Sequence, residues 1–179
     1  VSLGKVSCGV VPVENSLEGS VNITLDLLYG KNLKIRGEIK ERIKHNLIAK
    51  PNARKSDLRV ILSHQQALAQ CRGFIERNFP KVVIKEADST ALAVKQLRRL
   101  RDAAAIGTEL AARIYGMKTL AKDIGDNPNN FTRFLVIGRT DSKPTGRDKT
   151  SVIFTTKHVP GALFKALEPF ASRNINLSK

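Results

Sequence analysis

Between Leu58 and Tyr115 the apolar residues switch repeatedly between two spacings, and this alternation restricts the fold more than any other feature of the chain. Leu58–Leu62 is an apolar run of strand length, and Gln65–Phe79 follows with Ala67, Leu68, Cys71, Phe74, Ile75 and Phe79 at helical spacing. Val82–Ile84 reads as a second strand. Asp88-Ser89-Thr90 then offers capping side chains at a helix start. That helix carries Leu92, Ala93, Val94, Leu97 and Leu100 on one side, with Lys95, Arg98, Arg99 and Arg101 outside. Ala103–Gly107 and Thr108–Tyr115 repeat the strand and the helix. Such alternation predicts an α/β fold built on a largely parallel sheet.

The flanking segments extend the pattern. Val6–Val13 is predicted to be a buried strand, and the polar Glu14-Asn15-Ser16 leads to a turn and short helix within Leu17–Leu28. From Lys34 onward Ile35, Gly37, Ile39, Ile43 and Leu47 alternate with charged residues, as in a strand with one face in water. Lys31–Arg59 has ten Lys or Arg against three acids, the densest charge run, and reads as an exposed sheet edge or face. Thr140–Lys149 has linker composition. Beyond it come a strand at Ser151–Thr155, a turn at His158-Val159-Pro160-Gly161 and a helix at Ala162–Arg173, too little to make a domain alone.

Charge bears on partners. With 31 basic and 16 acidic residues the net charge is +15, which raises nucleic acid as a candidate. The aromatic fraction is only 5% without tryptophan, and no zinc-finger or RNA-binding signature occurs, so the charge is read as a solvated basic surface without a nucleic-acid role. No apolar run approaches the roughly 18 residues of a membrane helix. Cys8 and Cys71 match no metal-ligand spacing, which fits a reducing, cytoplasmic setting. The chain opens on Val1 without a charged-then-apolar leader and is expected to be an interior piece. A plastid-targeting segment upstream stays open.

One stretch carries chemistry. Asn129-Asn130-Phe131-Thr132-Arg133-Phe134 runs into the apolar strand Phe134–Ile137 and Arg139. Phe131 and Phe134 can anchor the backbone, so that Thr132 and Arg133 sit at the mouth of a cleft. Arg139, six residues after Arg133, falls on the same face of a regular strand. Two cations near one hydroxyl suggest an anionic ligand whose chemistry involves an oxygen.

Four segments in order then point to one family: Val11-Pro12-Val13-Glu14-Asn15-Ser16-Leu17-Glu18-Gly19-Ser20, Ser63-His64-Gln65-Gln66-Ala67-Leu68-Ala69-Gln70-Cys71, Asp88-Ser89-Thr90-Ala91, and Asn130-Phe131-Thr132-Arg133-Phe134. Through them the chain closely resembles prephenate dehydratase, with His158–Lys179 resembling the opening of that family's regulatory ACT domain. The resemblance implies a two-lobed α/β fold like the periplasmic binding proteins, followed by a partial α+β, ferredoxin-like ACT unit. Residues 1–140 would form the dehydratase domain, with lobe 1 from 1–24 and 123–140 and lobe 2 from 25–122. Residues 141–149 would be a linker and 150–179 the start of the ACT unit. The family's glycine-rich opening segment would precede Val1, and its Glu-Ser-Arg-Pro segment would follow Lys179. Gln65 departs from the proline common after Ser-His in the family.

The resemblance also distributes roles. Thr132 matches the catalytic threonine, and Asn15, Ser63, Gln70, Ser89, Thr90, Arg133 and Arg139 would bind substrate. Glu14, Ser16, His64, Asp88, Phe131 and Phe134 would support them. The implied reaction converts prephenate, which carries two carboxylates and a ring hydroxyl, to phenylpyruvate, CO2 and water, with no metal or cofactor. Thr132 is too weak an acid for ordinary acid catalysis, so hydrogen bonding to the leaving oxygen is favoured. Alternatives stand beside these roles. Arg133 also reads as a scaffold ion pair with Glu14 or Asp88, Asn15 as a turn residue, and Gln70 as an exposed helix residue. Ser89 and Thr90 can be caps, whereas Ser63 and Gln70, at the start and second turn of one helix, suit an anion at a helix N-terminus.

In the last unit Gly161, Ala162 and Leu163 match the family's phenylalanine-binding turn, although a Pro-Gly helix start reads the same way. The resemblance implies L-phenylalanine as effector and self-association to a dimer or tetramer. Arogenate dehydratase, a non-catalytic two-lobed binding protein and a nucleic-acid-binding protein are the alternative functions.

Overall fold

The computed structural model describes residues 1–177; Ser178 and Lys179, the end of the predicted ACT segment, lie outside the described residues. The elements, in chain order, are β1 (Cys8–Asn15), β2 (Gly19–Ser20), α1 (Asn22–Tyr29), β3 (Lys34–Arg42), β4 (Asn46–Ala49), β5 (Val60–Ser63), α2 (Gln65–Gln70), α3 (Arg72–Asn78), β6 (Val83–Glu86), α4 (Thr90–Gln96), β7 (Ala103–Gly107), α5 (Glu109–Ile114), β8 (Lys118–Ala121), β9 (Phe131–Gly138) and α6 (Ala162–Ala171). They build two sheets. One is four-stranded, ordered β2-β1-β9-β3, and the other five-stranded, ordered β6-β5-β7-β4-β8.

The five-stranded sheet holds the main core, and its strands sort their side chains by the period of two. Leu47, Ala49, Ile61, Ala104 and Ile106 face one side, where Ala67, Leu68, Cys71, Ile75 and Phe79 of the α2–α3 region cover them. Ile48, Leu62, Ala103 and Ala105 face the other side, against Ala93, Val94 and Leu97 from α4 and Ala111 and Ala112 from α5. Helices on both faces explain why β4 and β7 are buried along their whole length.

The expectation of a largely parallel sheet needs correction. β6, β5 and β7 are parallel, but β4 runs antiparallel to both β7 and β8, and the four-stranded sheet is antiparallel throughout. Strand β8 at Lys118–Ala121 was not expected, since only Leu120 and Ala121 mark it as apolar. The predicted helix Gln65–Phe79 is two helices, broken at Cys71 (φ −119°, ψ 14°). The break is stabilised from outside: Asp126 accepts hydrogen bonds from the Gly73 and Phe74 amides at 2.8 and 3.0 Å, capping α3. Its own amide donates to the Gln70 carbonyl at 2.8 Å.

The predicted buried strand at Val6–Val13 is instead the half-exposed β1, in which only Val13 is buried. β3 lies in the four-stranded sheet with β9 and packs Ile35 beside Leu25 and Leu28 of α1. Residues from 25 to 42 thus belong with the first lobe, and the boundary expected at residue 25 falls after Arg42. The basic run is borne out as an edge along β3, but it does not extend through β4. No strand forms over Ser151–Thr155, where the backbone is irregular and no neighbouring strand pairs with it.

The chain crosses between the sheets at 43–45 and again at 122–130, and the two crossings are bonded to each other. The Ile43 amide donates to the Asn130 carbonyl at 2.9 Å, and the Ile124 amide to the His45 carbonyl at 2.8 Å. The Arg42 guanidinium pairs with Asp123 at 2.8 Å. A β-bulge in β1 between Pro12 and Glu14 shifts the register against β9, so that Asn15 stands opposite Thr132 and Glu14 opposite Arg133.

On β9, Arg133 shares a face with Leu135 and Ile137, and Thr132 takes the opposite one. Arg133 Nε donates to Glu38 Oε2 at 2.6 Å, and Nη1 lies 3.9 Å from Glu14 Oε2. Lys149, from the linker, reaches Glu38 at 2.7 Å. The Lys149 hydrogen bond first, joined by Arg133, holds the Glu38 carboxyl below its ordinary value against the opposing cost of burial. A lowered folded-state value contributes stability above the unfolded carboxylate range, and that contribution is lost as pH falls through the folded value. Denaturation followed from neutral to acid pH is therefore expected to show a shallower acid loss in Glu38→Gln than in the parent. Asp126→Ala removes the α3 cap and is expected to cost about 0.5–2 kcal/mol in urea unfolding.

Candidate active site between the two sheets

Where the two crossings meet, a cavity of about 400 Å³ opens between the sheets. The four-stranded side contributes Asn15 and Thr132. The crossings contribute Ile43, His45 and Asn130, and the five-stranded side contributes His64, Gln66, Ala67, Gln70, Asp88, Ser89 and Thr90. Each is delivered by the end of an element. Asn15 ends β1, Thr132 is the second residue of β9, His64 precedes α2, Gln70 ends it, and Ser89 precedes α4.

Thr132 receives a hydrogen bond from Asn15 Nδ2 to its Oγ1 at 2.9 Å, and the same amide donates to Asn130 Oδ1 at 2.8 Å. Asn15 Oδ1 accepts from the Leu17 and Glu18 amides at 3.0 and 3.2 Å. Asn15 thus does both things considered for it: it caps the turn after β1 and lines the cleft. Gln70 is no idle helix residue either. Its Oε1 meets Asn130 Nδ2 and His45 Nε2, both at 2.8 Å, and its Nε2 donates to Glu18 Oε1 at 3.2 Å.

The remaining supporting residues fall into clear places. His64 Nδ1 accepts from the Gln66 amide at 3.3 Å, capping α2 while the ring lines the cavity. Ser89 Oγ accepts from the Leu92 amide at 3.1 Å, so it caps α4 and lines the cavity together with Thr90 and Asp88. Ser16 Oγ accepts from the Phe131 amide at 2.9 Å and donates to the Asn129 carbonyl at 2.8 Å, which pins the entry to β9. Phe131 is half-buried, with Lys40 Nζ 4.7 Å from its ring centre, and Phe134 shares the Thr132 face of the strand.

Three residues expected to touch a ligand are turned elsewhere. Ser63 is fully buried, and its hydroxyl donates to the Ile106 carbonyl at 2.7 Å. Arg133, with Glu14 beside it, belongs to the Glu38 cluster on the far face, because neighbouring strand residues point to opposite sides. Arg139 lies beyond the end of β9, its guanidinium packed against Gly4 near the start of the chain. Among the described residues no Lys or Arg lines the cavity, and its polar lining is amides, hydroxyls, imidazoles and the Asp88 carboxylate.

Cys71 is core, and burial pushes its thiol up to about 12. Among the described residues no group of three or more His, Cys, Asp or Glu is arranged to hold a metal, and no helix is long and apolar enough to cross a membrane. His45, Asn130 and Glu18 escaped the sequence reading of roles. The available signal was the His-Asn pair at 45–46, which interrupts an otherwise apolar alternation, and both residues are buried.

Comparison with known proteins agrees with this geometry. The family model described as prephenate dehydratase matches residues 1–142. A bifunctional chorismate mutase/prephenate dehydratase of Aquifex aeolicus is 45% identical over all of this chain and 49% of its own length. An arogenate dehydratase/prephenate dehydratase of Arabidopsis thaliana, a chloroplastic protein, is 48% identical over 97% of this chain and 46% of its own length. The chain spans about half the length of these curated relatives. The crystal structure of a prephenate dehydratase from Arthrobacter aurescens in complex with L-Phe superposes with a TM-score of 0.86 at 36% identity, covering all of this chain and 61% of that one. With the matched family model covering both sheets and every residue of the cleft, the chain belongs to the prephenate dehydratase family.

Proposed function

We propose that the protein converts prephenate to phenylpyruvate, CO2 and water, with Thr132 as the catalytic residue. The observation that carries this reading is the polarity of its hydroxyl. Oγ1 already accepts from Asn15 Nδ2, so its proton is free to donate into the cavity. In the reaction the bond from the ring to its carboxylate breaks, and that electron pair completes the aromatic ring as the C–O bond opposite breaks. The departing hydroxide takes up one proton and leaves as water. A donor fixed beside that oxygen stabilises the charge that develops on it, and an enclosed site supports the alignment of the two breaking bonds.

The cavity suits such a substrate. About 400 Å³ lies within the usual range for small-molecule pockets. Ser89 and Thr90 face Thr132 from the other sheet, as neutral partners for substrate carboxylates. The exposed Cys8 and buried Cys71 are both free thiols, which fits a cytoplasmic setting.

The end of the chain is read as an effector segment. Gly161 has φ +76° at the start of α6, a conformation that favours glycine, and no neighbour lies within 4 Å of where a Cβ would sit. Leu163 and Phe164 beside it are exposed. Together with the L-Phe complex of the Arthrobacter relative, this supports L-phenylalanine binding at Gly161, Ala162 and Leu163; self-association through an ACT unit belongs to the same reading.

Arogenate is the second reading, favoured by the 48% identity to the Arabidopsis protein. Turnover of both compounds by the full-length protein, followed as phenylpyruvate or phenylalanine formed, is expected to favour prephenate; absence of turnover with either would overturn the assignment. Thr132→Val is expected to keep the fold by circular dichroism and to lower kcat by about 10²–10³-fold, the usual loss of one transition-state donor. L-phenylalanine is expected to lower the rate in the same assay, and Gly161→Val to weaken that inhibition.

A further inference from the structure

The five-stranded side of the cleft offers a ligand several donors and one group of the opposite kind. Ser89 Oγ accepts from the Leu92 amide, which leaves its proton to donate. His64 Nδ1 accepts from the Gln66 amide, so a neutral ring carries its proton on Nε2. Asp88 lies among them on the cavity wall, and an ionised carboxylate can only accept. Among the described residues no hydrogen bond or ion pair occupies it, since Arg133, its expected partner, is held by Glu38 and Glu14. Asp88 also lines a second cavity of about 410 Å³, which shares His64 with the cleft and adds Glu86. No Lys or Arg lines either cavity. Two carboxylates thus stand at this end without a fixed cation, and the positive charge that would match them has to come with the ligand.

The two substrates considered above differ at this kind of group. Prephenate and arogenate share the ring, its hydroxyl and both carboxylates; one side-chain carbon bears a ketone in the first and an ammonium in the second. A ketone oxygen only accepts, so Asp88 has nothing to give it, whereas an ammonium is a charged donor. With the hydroxyl at Thr132, the side chain lies across the ring from it, toward the sheet that carries Asp88. We propose that Asp88 is the specificity residue of this cleft: it takes the ammonium of arogenate and gives the protein arogenate dehydration beside the prephenate reaction. The bond changes are the same in both. The bond from ring to carboxylate breaks, its electron pair completes the aromatic ring, and the opposite C–O bond opens. The hydroxide takes one proton, and the products are phenylalanine, CO2 and water with the ammonium untouched. The placement of the ligand rests on the dehydratase reading.

Removing the charge at constant size tests it. Initial rates of the full-length protein are followed with each compound, as phenylalanine or phenylpyruvate formed. Asp88→Asn is expected to lower kcat/KM for arogenate at least about tenfold. For prephenate the same variant is expected to hold or raise it, because the new amide can donate to the ketone. A structural role beside the Ser89 cap would instead lower both alike. Glu86→Gln, in the adjoining cavity, is expected to move the ratio of the two by less than about threefold. Should the amide disturb the cap, Asp88→Ser is expected to shift the ratio in the same direction. A ratio that neither variant of Asp88 changes overturns the inference, as does a parent that dehydrates prephenate and not arogenate; both results leave the dehydratase reading standing.

Binding supplies a readout separate from turnover. In slow Thr132→Val protein, titration calorimetry is expected to show arogenate bound at least about tenfold more weakly once Asp88→Asn is added, with no loss for prephenate. Equal losses for the two compounds, or none for arogenate, overturn the inference. A parent that binds arogenate through Asp88 but turns over neither compound would keep the ammonium site and overturn the dehydratase reading instead.

Discussion

The two crossings between the sheets run side by side and bond to each other, and the cleft between the sheets depends on that contact. The Ile43 and Ile124 amides bridge them, with Arg42 and Asp123 as an outer tie. The exposed ion pair adds little by itself; the backbone bonds and the buried His45, Asn46 and Asn130 around them are shielded from competing water. The contact brings Asn15 to Asn130 and Thr132 across more than a hundred residues of sequence, and it sets Gln70 against them from the other sheet. A cleft lined this way inherits its geometry from two short strand ends and a helix end, all of them fixed by backbone bonds.

The architecture was legible wherever a segment had to bury a full face. Ala103–Gly107, the helix starts at Ser89 and Thr108, and the apolar stripe of Ala67, Leu68, Cys71 and Ile75 can satisfy their hydrophobic spacing in one way only. Strand direction was another matter. Whether β4 runs with or against β7 depends on the loop that precedes it, and a buried apolar run reads alike in both orientations. The break at Cys71 is set by Asp126, more than fifty residues away, and no local spacing reports such a cap. The strand expected at Ser151–Thr155 has β propensity without a partner, and β structure needs one.

The site was legible as motifs and obscure as geometry. Thr132, Asn15 and Gln70 stand where the family resemblance placed them, within one cavity. Arg133 is adjacent in sequence to Thr132 and for that reason lies on the other side of the sheet, where Glu38 and Glu14 neutralise it. Charge drew attention to Arg133 and Arg139. The cavity instead is lined mainly by uncharged polar groups, whose places are defined by who donates to whom. His45, Asn130 and Glu18 show why: an isolated His, Asn or Glu in a polar stretch has no spacing to betray it until the partner is in view.

The bulge in β1 has a consequence for what kind of chemistry the strand pair can support. Pro12 stands opposite Phe134, and a regular ladder continued from that pair would set Val13 opposite Arg133 and Glu14 opposite Thr132. One extra residue moves the carboxylate away and puts an amide in its place. A carboxylate there would draw the threonine proton to itself, since it offers only lone pairs, and the cleft would face its ligand with an occupied hydroxyl. The difference between a donor and a spent donor is thus written as a count of residues, not as a choice of residue. Insertions and deletions near Val13 act on the Thr132 hydroxyl as directly as any substitution of it, and the backbone of a partly exposed strand decides which group that hydroxyl meets.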